Sequence, residues 1–186
     1  MEYGTFSTHT TTISLADYRE RYQDIERFAA CCRQCNNYGQ QWVCPPFDFD
    51  VRAALDRYDE IHIVGYKVML APELTSREYT PEERRLLYGK IMKWARRTTD
   101  AELLRLEAER PGSRAFFPGS CQLCGEGRCT RLEGKPCIHS ELTRNSLENF
   151  GFDLCKTAEE LLGIPMVWSR GNGLAEYFLL VGGLCY

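Results

Sequence analysis

The sequence predicts an α/β (α+β) fold: a single compact domain over residues 1–186, with a mixed sheet of about four to five strands packed with helices and two cysteine-rich metal-binding loops. Three observations support this prediction. The chain has 186 residues, 44% of them hydrophobic, which suffices for one domain with a core. Segments with helical periodicity alternate with β-branched apolar segments. Eight of the ten cysteines fall into two tight groups.

The first predicted helix covers residues 15–30. Ser14 followed by Asp17 is typical of a helix start. An apolar stripe follows at spacings of three and four, formed by Leu15, Tyr18, Tyr22, Ile25 and Ala29. The stripe continues to Cys32, whereas Cys31 falls beside it. The helix is therefore expected to end in a metal loop with Cys32 turned inward.

Residues 61–70 are apolar and β-branched, which predicts a strand buried on both faces. Residues 80–83 then carry a capping box with proline at the first helical position, which predicts a helix start. This helix either continues to Arg110 or breaks at residues 98–99 and restarts. Pro111 and Gly112 end it in both cases.

The C-terminal third predicts two short helices and a hairpin. Residues 143–150 read as a helix stopped by Gly151, and residues 157–162 as a helix capped by Thr157 and stopped by Gly163. Segments 165–169 and 176–181 flank Gly-Asn-Gly at 171–173, a combination that favours a tight turn. The hairpin is expected to complete the sheet.

Charge and hydropathy exclude several classes of function. A net charge of −3 and a pI near 5.7 give no basic field for nucleic acid. No apolar stretch approaches the roughly 20 residues of a membrane helix, and the start lacks a signal-peptide pattern. We therefore expect a soluble, cytoplasmic protein with no nucleic-acid and no membrane partner. Tight clustering of the cysteines favours metal over disulfides.

The second cysteine group contains Cys121, Cys124, Cys129 and Cys137, with gaps of two, four and seven residues. Four thiolates in short loops can hold one 4Fe-4S cluster or one zinc ion. Structural zinc sites usually use two compact pairs, so the gap of seven favours the cluster. Gly125 and Gly127 let the loop fold tightly and direct backbone amides inward. Zinc remains the alternative.

The first group offers three ligands, Cys32, Cys35 and Cys44, because adjacent cysteines rarely both reach one metal. Three protein ligands leave one coordination position open for a small molecule. The alternative is a closed structural site, completed by Cys31 or by a residue distant in sequence. Outside both groups, Cys155 and Cys185 are expected to be buried as small hydrophobic residues.

Both regions resemble a known family. In the first, Tyr38-Gly39, Trp42 and Cys44-Pro45-Pro46 accompany the cysteines, and in the second Cys137 is followed by Arg144, Ser146, Glu148 and Gly151-Phe152-Asp153. These motifs resemble the predicted metal-binding proteins of domain-of-unknown-function family 2284, from about Leu15 to the C-terminus. The resemblance implies a bacterial or archaeal cytoplasmic protein that binds metal through these cysteines. It implies no particular reaction, and whether the protein is an enzyme stays open.

The cysteine pattern supports three functional hypotheses. The preferred one is redox: one or two 4Fe-4S clusters in electron transfer or small-molecule redox chemistry, with an electron donor or acceptor protein as partner and a small-molecule ligand at the three-cysteine site. The second is a zinc-binding structural or interaction module without catalysis. The third, thiol–disulfide exchange, is disfavoured because neither close cysteine pair follows a strand of a thioredoxin-like unit. No catalytic residue is identified.

Overall fold

A four-stranded antiparallel sheet of order β1-β2-β4-β3 forms the centre of the computed structural model, which describes residues 3–125 and 128–186. The strands are β1 (Gly4–Ser14), β2 (Glu60–Leu70), β3 (Arg114–Phe116) and β4 (Tyr177–Cys185). The helices are α1 (Leu15–Tyr22), α2 (Ile25–Arg33), α3 (Pro72–Thr75), α4 (Pro81–Glu109) and α5 (Leu154–Leu162). The predicted fold class, helices packed on one sheet of four strands, is confirmed.

Two details of the predicted sheet differ. All three strand pairs are antiparallel, so the sheet is not mixed. Strand β1 was not expected, because its polar sequence of threonines and serines lacks an apolar face. It pairs along its whole length with β2, from Gly4 opposite Leu70 to Ser14 opposite Glu60. Because β1 is an edge strand, many of its polar side chains can remain in solvent. Its backbone hydrogen bonds with β2 hold it in the sheet.

The sheet is buried on both faces at strand β2, as the apolar sequence of that strand predicted. Ile61 and Ile63 of β2 point to one hydrophobic cluster, whereas Val64, Tyr66 and Val68 point to the other. The first cluster includes side chains of α1 and α5, and the second includes side chains of α4. The result is a central sheet with helices on each side.

The predicted helix over residues 15–30 is divided into α1 and α2. Gln23 is extended and forms a bridge with Phe152, and the Asp24 amide donates to the Gly151 carbonyl at 2.8 Å. The Asp24 side chain then accepts from the Arg27 amide at 3.0 Å, which caps the start of α2. Pairing with a segment distant in sequence thus interrupts a helical pattern that is locally continuous.

Helix α4 confirms the longer of the two alternatives. Thr80 and Glu83 form the predicted capping box, and the helix continues to Glu109 without a break. Thr99 is fully buried against the core, so packing stabilises the stretch where β-branched residues predicted an interruption. Within the described residues, neither α4 nor any other helix is long and apolar enough to cross a membrane.

The C-terminal predictions are only partly correct. Residues 143–150 form a 3-10 turn at Glu148–Phe150 in place of a helix, because the Asn145 carbonyl accepts from the Phe117 amide at 2.9 Å. Helix α5 is present but starts at Leu154, where Asp153 is the cap in place of Thr157. The predicted strand over 176–181 is confirmed as the first part of β4, which completes the sheet. The predicted hairpin is wrong, because residues 165–169 form no strand and β4 pairs with β2 and β3.

Candidate metal centre

The first cysteine group surrounds the C-terminal end of α2. Cys32 lies in its last turn, the Cys35 amide donates to the Cys32 carbonyl at 3.0 Å, and Cys44 is buried in the loop that follows. Burial, followed by the charges of Cys35 and Cys32, raises the pKa of the Cys44 thiol to about 12. Burial, Glu148 and Cys35 similarly raise the pKa of Cys32. The three cysteines therefore lie in one region, formed by the end of α2 and the loop after it.

The second group lies in an irregular loop that contains one 3-10 turn, Thr130–Glu133. Burial and then the charges of Cys129, Cys121 and Cys137 raise the pKa of the Cys124 thiol. The Leu123 amide donates to the Cys121 sulfur at 3.5 Å. Gly125 takes the positive φ that lets the loop turn sharply, whereas the predicted role of Gly127 lies outside the described residues.

All ten cysteines are free thiols, so neither group is held by disulfides. Across residues 3–125 and 128–186, no three Cys, His, Asp or Glu side chains converge closely enough to hold a metal ion as they stand. The donor chemistry of each group nevertheless fits a metal that prefers sulfur, since each group gathers neighbouring thiols and no competing hard carboxylate set. The seven proposed ligands thus lie in two groups along the chain, and within the described residues neither group is drawn together into a closed metal site.

Gln41 joins the two groups. Its side-chain oxygen accepts from the Cys121 amide at 3.0 Å and lies 4.0 Å from the Cys44 sulfur. One amide side chain thus contacts a member of each group, although Cys44 and Cys121 are far apart in sequence.

Arg131, between Cys129 and Cys137, clamps the first loop onto the second. Its guanidinium donates to the backbone carbonyls of Gln41, Cys44 and Pro46, with 2.7 Å to the Gln41 oxygen. It also lies 5.5 Å from the ring centre of Trp42, whose indole N–H donates to the Lys135 carbonyl at 3.1 Å. These bonds to loop carbonyls replace the secondary structure that both loops lack.

The turn after the second group supports the first group from the other side. Asn149 and Asn145 both donate to the Val43 carbonyl, at 2.9 and 3.2 Å, and the Cys32 sulfur lies 3.8 Å from the Asn149 side-chain oxygen. The Thr143 hydroxyl lies 3.6 Å from the Cys121 sulfur. Residues 143–149 therefore contact both groups, which explains why they depart from the predicted helix.

A cleft of about 630 Å³ opens between α4 and the two cysteine groups. Cys35 and Cys44 line it from the first group and Cys121 from the second. Lys93, Arg96 and Glu148 are among the other lining residues. Arg96 is buried and fixed, because it pairs with both carboxylate oxygens of Asp100 at 2.7 and 2.9 Å and donates to the Ser120 carbonyl at 3.0 Å.

Sequence reasoning found the cysteines but missed the residues that join them. As predicted, Cys32 faces inward more than the exposed Cys31, and Cys185 is buried. The prediction for Cys155 is wrong: it is exposed, with its sulfur 3.7 Å from that of Met166. Gln41 and Arg131 carried no signal beyond their position between cysteines, since their partners lie about 80 to 90 residues away.

Comparison with known proteins gives one match. No curated protein and no solved structure matches the chain. Residues 20–182, which include both cysteine groups, Arg131 and strands β2 and β3, match the model of the family described as predicted metal-binding proteins, DUF2284. The chain therefore belongs to this family of predicted metal-binding proteins.

Proposed function

We propose that the protein binds one or two 4Fe-4S clusters through its two cysteine groups and uses them in electron transfer or in redox chemistry on a small molecule. One observation carries the proposal: Cys35, Cys44 and Cys121, drawn from both groups, line a single open cleft. Thiolates are the protein ligands of such clusters, and the cleft gives a reacting molecule access to them.

The second group is the proposed closed site. Cys121, Cys124, Cys129 and Cys137 would supply one thiolate each, which is the ligand set of a 4Fe-4S cluster. The Leu123 amide already donates to the Cys121 sulfur, and such backbone donors stabilise the negative charge of a thiolate-bound cluster. The group therefore suits a centre that exchanges electrons without binding a substrate.

The first group is the proposed open site, with Cys32, Cys35 and Cys44 as its ligands. A cluster or metal held by three thiolates supplies one coordination position at which a small molecule can be bound and polarised. Lys93 and Arg96 line the same cleft, and Arg96 is held in place by Asp100. Lys93 would orient an anionic or hydrogen-bonding molecule toward the cysteines, whereas the charge of Arg96 is already balanced by Asp100.

The Gln41 contact favours one connected centre over two independent ones. Because its side-chain oxygen meets both the Cys121 amide and the Cys44 sulfur, the two proposed sites approach each other closely. An electron delivered by a partner protein to the second group would have a short path to the first. We propose the cytoplasm as the location, since its reducing conditions keep such thiols free.

Anaerobic purification followed by visible spectroscopy and by iron, sulfide and zinc analysis tests the proposal. We expect a brown protein with a broad absorption at about 400 nm and equal iron and sulfide. Cys121→Ala and Cys44→Ala should each remove part of the iron, and the matched control Cys155→Ala, an exposed thiol outside both groups, should remove none.

Zinc analysis of the same samples distinguishes the redox proposal from the zinc-binding structural alternative. Stoichiometric zinc without visible absorption, even after anaerobic cluster reconstitution, would refute it and support the zinc-binding structural module. The chelator response provides a second readout, because a structural zinc ion contributes directly to folding stability and its removal should unfold the loops.

A further inference from the structure

A second, strongly cationic pocket lies at the start of β3, apart from the cysteine cleft. Its volume is about 290 Å³. Three arginines from distant parts of the sequence line it: Arg57 from the loop before β2, Arg114 from β3 and Arg144 from the segment after the second cysteine group. Arginine is the residue best suited to binding phosphate through paired N–H donors.

The one carboxylate in the lining is already neutralised. Glu107 of α4 accepts from the Arg144 Nε at 3.0 and 2.8 Å with its two oxygens, and it also accepts from the Ala115 amide at 2.8 Å. Arg144 and Glu107 thus form a fixed, half-buried pair. Their charges cancel, so the net positive charge of the pocket comes from Arg57 and Arg114.

Arg57 and Arg114 have no carboxylate within 4.0 Å in the described part of the chain. Arg57 donates to the Tyr58 hydroxyl at 2.6 Å, and Arg114 donates to the Asn145 side-chain oxygen at 2.6 Å. The buried Arg114 Nε has no hydrogen-bond partner among the described residues. Two positive charges therefore converge on one pocket of an overall acidic protein.

Electrostatics around Arg114 agree with this charge count. Burial lowers the pKa of its guanidinium, and the neighbouring charges of Arg144 and Arg57 act in the same direction, whereas Tyr58 and Glu107 oppose them. Bringing like charges together is unfavourable, and a bound anion would relieve the repulsion. The remaining lining residues are Ser113, Ser140 and Thr143. The Ser140 hydroxyl can donate to an anion oxygen, whereas those of Ser113 and Thr143 already donate to the Arg110 carbonyl at 2.6 Å and to the Cys121 sulfur at 3.6 Å.

We propose that this pocket binds a phosphate dianion, either inorganic phosphate or the phosphoryl group of a small organic molecule. Two uncompensated arginines match the charge of a dianion, and the Ser140 hydroxyl supplies a further hydrogen bond to its oxygens. The volume accommodates a phosphoryl group with a small organic remainder. No cysteine lines this pocket, although the lining residue Thr143 contacts Cys121 through its hydroxyl.

Isothermal titration of the purified protein with inorganic phosphate, at neutral pH and constant ionic strength in chloride, tests the proposal. We expect saturable binding to one site per chain. Arg57→Gln should weaken it at least about tenfold, since it removes a charged hydrogen-bond donor. Arg57 is exposed and outside the core, so the variant should fold. Arg114→Lys, which keeps the charge but loses the planar fork, should weaken binding as well.

The matched control is Arg97→Gln, which removes the same charge from an exposed site on α4, ten residues or about 15 Å along the helix from Glu107. Binding should be unchanged in this variant. A parallel titration with glycerol 3-phosphate distinguishes the sources: tighter binding than phosphate indicates an organic ligand, and weaker binding indicates the free ion. Absence of saturable binding to either, or equal losses in the Arg57 and Arg97 variants, would overturn the proposal.

Discussion

Arg131→Ala is expected to lower the free energy of unfolding by about 3 kcal/mol and to reduce the metal bound by the first cysteine group. The Arg131 guanidinium donates to three loop carbonyls, those of Gln41, Cys44 and Pro46. Hydrogen bonds from a charged donor are the stronger ones. Their removal leaves the Cys44 and Pro46 carbonyls without this partner, whereas the Gln41 carbonyl still accepts from the Cys44 amide at 3.1 Å. The loop that carries Cys44 would then lose its attachment to the second group.

Urea denaturation and metal analysis measure this effect. Arg128→Ala is the matched control, because it removes the same charge from an exposed site in the same loop; we expect a change of less than about 0.5 kcal/mol. Arg131→Lys should recover only part of the loss, since one ammonium group cannot reach three carbonyls with the geometry of a guanidinium. Equal effects of Arg131→Ala and Arg128→Ala would show that charge alone is responsible and would contradict the clamp.

Gly151→Ala should destabilise the fold by about 3 kcal/mol and disturb the first cysteine group from a distance. Gly151 has a φ of +86°, which is unfavourable for alanine. A Cβ atom at this position would also lie 2.7 Å from the Ile25 Cα, a backbone atom that cannot yield without moving α2. Because α2 carries Cys32 in its last turn, displacement of its start should move a proposed ligand.

The control variant Gly163→Ala separates the effect of the positive φ from the effect of the close contact with Ile25. Gly163 caps α5 with a similar φ of +68°, but a Cβ atom there meets nothing within 4 Å. We expect this control to cost only about 1 kcal/mol, from the backbone conformation alone, with unchanged metal content. Thermal or urea unfolding measures the stability of both variants. If Gly151→Ala costs no more than Gly163→Ala, the close contact with Ile25 has no energetic weight.

Sequence patterns predicted the elements whose signals are local. Strand β2 follows from a run of β-branched residues, and α4 follows from its capping box and proline. Both signals lie within a few residues of the element they define. The same reasoning failed where tertiary pairing overrides a local pattern. Gln23 pairs with Phe152, which divides the first helix, and Asn145 bonds to Phe117 and Val43 where a helix was expected.

The candidate site shows the same division. Cysteine spacing identified both groups and the inward orientation of Cys32, because these depend on neighbouring residues. The sequence contained no sign that the groups lie side by side. Their contact depends on Gln41, Arg131 and Asn149, and each of these bonds to backbone groups or sulfur of residues that are about 80 to 117 positions away. The fold brings these partners together. Where the accepting or donating group belongs to the backbone, the partner residue needs no particular side chain, so its sequence carries no signal.

The order of the strands determines when the sheet can be completed during synthesis. Strand β4 lies between β2 and β3, yet it is translated after both of them. Until β4 emerges, β2 has only β1 as a partner and β3 has none. The eight clustered cysteines all precede β4, so the nascent chain presents them before its central strand is in place. Long-range pairing of this kind folds slowly and leaves reactive groups accessible meanwhile. During this interval the eight thiols are open to oxidants and to metal ions other than the proper one.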